Sequence, residues 1–162
     1  MKIDKLLVPL DGSRLAEQAL AKALDVAAGG QPTLLLLRAA EASTWPGADP
    51  TEEQIRVVHE AEEYLSAVQA RLASKGIRKV ETSVWYGPPA SAIVEAARVG
   101  NADLIVMTTH GRSGLGRLIM GSVAEAVLRG TSTPIMLLRA DGAPVEPPIG
   151  VAEERTPAEA RR

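Results

Sequence analysis

Short unbroken apolar runs recur along this chain, and between them lie longer stretches whose apolar residues return every three or four positions. That alternation leaves few folds open. Lys5-Leu-Leu-Val-Pro-Leu10, Thr33-Leu-Leu-Leu-Leu-Arg38, Leu104-Ile-Val-Met107 and Pro134-Ile-Met-Leu-Leu138 are too short for helices and apolar enough for buried strands. From Ser13 to Ala28, Leu15, Ala19, Leu20, Ala23, Leu24 and Ala27 share one helical face, and Gly29-Gly30 ends the helix. Thr51 and Gln54 have the spacing of a capping box, which predicts a helix to about Ser74 with Ile55, Val58, Leu65, Val68 and Leu72 on its apolar side. Val80 to Tyr86 alternates apolar and polar residues, as an edge strand does. Gly87-Pro88-Pro89 opens a helix through Ala92, Ile93, Ala96, Ala97 and Val99, stopped by Gly100-Asn101. A last helix is expected from Ser122 to Arg129, where Ser122-Val-Ala-Glu125 forms a second capping box.

Strands alternating with helices imply an α/β fold: a doubly wound, five-stranded parallel sheet with helices on both faces, Rossmann-like in the broad sense. Ligands of such folds bind beyond the carboxyl ends of the strands, where the strand order reverses. Residues 1–140 are expected to form one domain. Residues 141–162, rich in Pro, Glu, Ala and Gly, are expected to be a flexible tail. The stretch from Glu41 to Glu53, with Trp45, Pro46, Gly47 and Pro50, reads as an exposed connection or as a lid.

Composition narrows the chemistry. The absence of cysteine excludes disulfides, thiolate chemistry and Cys-containing zinc sites, and His59 and His110 are the only histidines. With 18 Lys and Arg against 20 Asp and Glu, there is no basic excess to hold a nucleic acid. No apolar run approaches the ~20 residues that span a bilayer, and the first residues lack a signal peptide's pattern. A soluble, cytoplasmic protein that uses neither nucleic acid nor membrane is expected.

Two strand ends carry residues suited to a ligand. Asp11 follows the first strand, where its carboxylate either accepts from a ribose hydroxyl or an adenine amine, or caps the next helix together with Ser13. The second end runs from Thr108 to Ser122 and holds Gly111, Gly114, Gly116 and Gly121. Glycines let a backbone approach an anion, and Ser122 opens a helix whose N-terminus favours a phosphate. The phosphate-binding loop ending in Gly-Lys-Ser/Thr is absent, and so is the dinucleotide fingerprint after the first strand.

Three blocks together resemble the universal stress protein family: Leu7-Val-Pro-Leu-Asp-Gly-Ser13, Gly87-Pro-Pro-Ala-Ser-Ala-Ile-Val94, and the run from Ala102 to Glu125 completed by Pro134-Ile-Met-Leu-Leu138. The resemblance covers about residues 2–139. It implies a universal stress protein domain related to UspA, with the fold of the adenine-nucleotide alpha hydrolases. The ATP-binding branch of that family carries Gly, two residues, Gly, nine residues, Gly and Ser or Thr. Gly111, Gly121 and Ser122 match it, and Thr108 replaces the first glycine, where it would crowd the ribose or α-phosphate.

By resemblance, Asp11 contacts adenosine, with Pro9 and Leu10 as the wall behind it. Ala39 offers backbone contacts to adenine, Met107 lines base and ribose, and Gly111, Gly121, Ser122 and Val123 hold the phosphates. Arg112 and Arg117 suit a phosphate by charge and position, or a solvated loop; His110 lines the pocket or stands exposed. The implied ligand is ATP, with Mg²⁺ as the usual companion of a triphosphate. The implied assembly is a homodimer through strand 134–138, an apolar edge open to pairing, acting on an unidentified protein partner. Phosphoryl transfer needs metal-binding groups, a positioned nucleophile and dense positive charge. Those are sparse here, so a nucleotide-responsive stress protein is expected rather than an enzyme, with slow hydrolysis or autophosphorylation left open. The alternative is a member that binds no ATP, or binds cyclic AMP, and works through its protein interfaces.

Overall fold

The computed structural model describes residues 2–42, 47, 49–109 and 121–139. Five strands and four helices alternate as β1 (Lys5–Pro9), α1 (Arg14–Ala27), β2 (Thr33–Ala40), α2 (Pro50–Ser74), β3 (Val80–Tyr86), α3 (Pro89–Val99), β4 (Leu104–Thr108), α4 (Ser122–Gly130) and β5 (Ile135–Leu138). All pairings are parallel, in the order β3-β2-β1-β4-β5. The chain thus winds outward from β1 through β2 to β3, then returns to the other side of β1 with β4 and β5. The reversal lies between β1 and β4.

Strand periodicity divides the core into two layers. Leu6, Val8, Leu34, Leu36, Leu104 and Val106 turn to one face and pack with Ala16, Ala19, Leu20 and Ala23 of α1 and Leu65, Val68 and Leu72 of α2. Leu7, Leu35, Leu37, Ile105 and Met107 turn to the other, against Ile93, Ala96 and Ala97 of α3 and Ala124 and Val127 of α4. Both faces of the sheet are therefore covered, which is why β1, β2 and β4 read as continuous apolar runs. The β3 strand stands at one edge, as expected, but the expected alternation does not hold, since Glu81, Thr82 and Ser83 are consecutive polar residues; β5 stands at the other edge.

Several local expectations are corrected. Strand β2 runs on to Ala40, because Arg38, Ala39 and Ala40 pair with Val84, Trp85 and Tyr86. The cap of α2 is Asp49, whose carboxylate accepts from the Thr51 and Glu52 amides, with Pro50 in the first turn. Thr51 and Gln54 already lie inside the helix, so they form no capping box. Ile55 is 64% exposed and Val99 58%, each outside the apolar face assigned to it. Ser122 is likewise the first helical residue of α4 rather than its cap; Gly121 takes that place, without a side-chain hydrogen bond. After α1 the left-handed residue is Gln31 (φ 52°), beyond the glycine pair. The expected tail, the Trp45 lid and most of the glycine-rich loop fall outside the described residues.

Candidate functional site

The β1 strand ends at Pro9, and the Leu10 amide donates to the Leu37 carbonyl at 2.7 Å, holding the exit of β1 against β2. The chain then turns over Asp11, Gly12 and Ser13. Gly12 lies in the left-handed region (φ 83°), where a side chain is strained. Asp11 Oδ1 accepts the Ser13 amide at 2.9 Å, and Ser13 Oγ accepts the Ala16 amide at 3.1 Å as the cap of α1. Ser13 therefore realises the capping reading of this turn, while Asp11 closes the turn just before the helix. Asp11 remains only half-buried, so a carboxylate fixed in direction still reaches the surface at the carboxyl end of β1.

On the other side of the reversal, β4 ends at Thr108 and its successor Thr109 is pinned twice. Its amide donates to Leu138 of β5 at 2.8 Å, and its carbonyl accepts the Gly121 amide at 2.7 Å. This second bond brings the start of α4 back to the end of β4 across the glycine-rich segment. Gly121 is half-buried, Ser122 exposed, and Val123 packs against the α3–α4 layer. The first-turn amides and hydroxyl of α4 and the Asp11 turn thus stand at the carboxyl ends of the two strands that flank the reversal.

The remaining candidates separate by burial. Leu10 is 2% exposed and belongs to the α1–α2 core, as a wall residue would; Pro9 and Ala39 are half-buried in the sheet. Met107 is 6% exposed and packed in the α3–α4 core, leaving it little surface for a ligand. Thr108, at 7%, falls by strand alternation on the side of Leu104 and Val106. His110, Gly111, Arg112 and Arg117 lie outside the described residues. Among the described residues, no group of three or more His, Asp or Glu side chains forms a metal site, and no helix is long and apolar enough to cross a membrane.

One element of this region had no signal in the composition of its motifs. Arg38, from the otherwise apolar β2, places its guanidinium 4.7 Å from the ring centre of Tyr64 on α2. It also lies against the Asp11 turn, since a methyl group on Gly12 would stand 3.5 Å from Arg38 Nη1. The Tyr64 hydroxyl in turn donates to Glu17 of α1 at 3.3 Å, and Glu17 pairs with Arg71 of α2 at 3.0 Å. Burial first, and then the Glu17 charge, push the Tyr64 phenol up to about 12. The only hint in the sequence was a charge interrupting a buried strand.

A universal stress protein of Methanocaldococcus jannaschii is 31% identical over 140 residues, spanning 83% of this chain and 81% of its own. Among solved structures, UspA from Lactobacillus plantarum superposes with a TM-score of 0.74 at 23% identity, covering 86% of this chain and 99% of that one. A universal stress protein in complex with cAMP gives 0.59 at 23% identity, over 85% and 98% of the two chains. One from Arabidopsis thaliana with AMP bound gives 0.57 at 16%, over 85% and 92%. These structures share the fold described above. The universal stress protein family as a whole matches residues 2–139, from just before β1 to the residue after β5, and the chain belongs to that family.

Proposed function

We propose that this protein binds an adenine nucleotide, ATP in the first instance, in the crevice beyond β1 and β4, and acts as a nucleotide-responsive homodimer rather than as an enzyme. The observation that carries this reading is the convergence of Asp11 and the Gly121–Ser122 start of α4 on the two sides of the sheet reversal, held there by the Gly121 to Thr109 hydrogen bond. A carboxylate suits the hydroxyls of ribose. First-turn amides and a hydroxyl suit phosphate oxygens. The separation of these two chemistries along one crevice matches a nucleotide's own polarity. The family relatives solved with cAMP and with AMP support adenosine phosphate as the ligand class.

Mg²⁺, if it accompanies ATP, is held mainly by the phosphates, since the described residues offer no cluster of ligands for it. For the dimer, the supporting feature is β5. The carbonyls of Pro134 and Leu138 bond to β4, so alternation turns the backbone groups of Ile135 and Leu137 to the outer side of the sheet.

The test is a thermal-shift series with ATP, ADP, AMP and cyclic AMP on nucleotide-free protein, with and without Mg²⁺. A ligand at about 100 times its dissociation constant stabilises by ~2.7 kcal/mol, roughly 5–10 °C for a chain of this size. A shift of that order with ATP is expected. No shift with any of the four, and none released on denaturing freshly purified protein, would exclude the reading. A shift with cyclic AMP alone would replace ATP by the cyclic nucleotide.

A further inference from the structure

We propose that Arg38 is a positioning residue for Asp11, acting through Gly12 and held in place by the ring of Tyr64. The proposal concerns the same crevice and rests on the nucleotide-binding reading for its functional consequence. The Asp11 turn is anchored by Leu10 on β2 at one end and by the Ser13 cap of α1 at the other. Between those anchors the chain passes through a positive φ at Gly12, and because glycine takes positive and negative φ about equally readily, its own backbone does not fix the turn.

What lies beneath that point is the Arg38 guanidinium, 3.5 to 3.8 Å from the position a Cβ would take on Gly12. A side chain there would meet the flat cation at ordinary contact distance, so the guanidinium packs closely beside Gly12, and it is the positive φ that favours glycine. Arg38 is half-buried, and no carboxylate lies within ion-pair distance of it among the described residues, so its orientation depends on the Tyr64 face. Tyr64 is fixed by packing against the α1–α2 core, to which its hydroxyl adds only a long 3.3 Å bond to Glu17. A chain of contacts therefore runs from α2 through Tyr64, Arg38 and Gly12 to the residue that aims the carboxylate.

The consequence is that Asp11 keeps its direction in the ligand-free protein, and a nucleotide meets an acceptor already oriented. Losing the guanidinium frees Gly12 to leave the left-handed region, and the Asp11 to Ser13 bond opens with it.

The experiment compares Arg38→Met, Tyr64→Leu and Tyr64→Phe with the parent protein, and with Asp11→Ala alone and combined with Arg38→Met. Two quantities are read: hydrogen exchange at the Ser13 amide without ligand, and ATP affinity by calorimetry. Arg38→Met and Tyr64→Leu are expected to speed Ser13 exchange and weaken ATP about tenfold, while Tyr64→Phe, which keeps the ring, matches the parent. In the Asp11→Ala background Arg38→Met should cost no further affinity, because its effect passes through the missing carboxylate. Should Arg38→Met fail to fold, Arg38→Lys, which keeps the charge and loses the planar face, is read the same way.

Unchanged Ser13 exchange in folded Arg38→Met or Arg38→Lys overturns the proposal. A loss that adds in full to that of Asp11→Ala overturns it as well, by placing Arg38 directly on the ligand. If the parent protein binds no adenine nucleotide, the functional reading fails on its own, and the exchange measurement alone decides the role of Arg38.

Discussion

Asp103 Oδ2 accepts the backbone amide of Lys5 at 2.9 Å, and that of Asp4 at 2.8 Å, tying the start of β4 to the start of β1. These amide bonds hold the Asp103 carboxyl below the usual carboxylate range. A carboxylate whose pKa is depressed by folding stabilises above its unfolded pKa, near ~3.9, and loses that contribution as pH falls through the folded value. Asp103→Asn is therefore expected to melt at a lower temperature than the parent at pH 7 and to converge with it in strong acid. Melts between pH 2 and 7 check this; equal melting temperatures at pH 7 would show that the bonds contribute nothing.

Asp11→Ala and Gly121→Val test the two ends of the crevice. Loss of a charged acceptor costs about 1.5–3 kcal/mol, so Asp11→Ala should weaken ATP by roughly 10- to 150-fold while the protein stays folded. Gly121 has φ −72° and ψ 152°, a conformation valine adopts freely, so Gly121→Val is compatible with the backbone. It should nevertheless abolish binding by placing a branched side chain where phosphate oxygens approach the α4 amides. Calorimetry beside circular dichroism separates lost binding from lost folding. Stoichiometric ATP in folded Gly121→Val would remove α4 from the site.

Leu137→Pro addresses the assembly. Proline removes an amide that points away from β4, so the β4–β5 bonds formed by Pro134 and Leu138 remain. If two copies pair along β5, sedimentation equilibrium should show a dimer for the parent and a monomer for Leu137→Pro. A dimer in both would locate the contact elsewhere.

Tyr64 supplies an alkaline counterpart to Asp103. Its phenol is raised from 10.0 to about 12, by burial and then by Glu17, against the opposing pull of Arg38 and Arg71. A group whose folded pKa is raised contributes stability that is complete below the unfolded pKa and is lost as pH rises through the folded one. The parent should accordingly lose stability between pH 10 and 12, and Tyr64→Phe should flatten that slope. Denaturant midpoints across this window are the measurement, and identical slopes would mean that Tyr64 titrates alike in both states.

The fold was legible because burial on both faces of β1, β2 and β4 leaves no polar position in their cores, whereas β3 carries the polar run Glu81-Thr82-Ser83 of an edge strand. Helix starts were less legible. Asp49 and Gly121 cap α2 and α4 because the chain geometry one or two residues upstream suits the cap, whereas Thr51 and Ser122 merely have suitable side chains at suitable spacing. In the candidate site, Asp11 and Ser122 were readable as polar residues at strand and helix ends. Arg38 was not, since its meaning comes from Tyr64 and Gly12, 26 positions away in one direction and 26 in the other.

The first strand in the sequence occupies the middle of the sheet. During synthesis, β1 meets β2 early, but its other edge stays bare until β4 has been made, some hundred residues later. The nascent chain must therefore carry an apolar strand with one open side through most of its production. Only then can β4 dock, with Asp103 on the Asp4 and Lys5 amides, and the second wall of the crevice follows later still, with the start of α4. A chain interrupted before residue 104 would hold the Asp11 turn yet have no crevice.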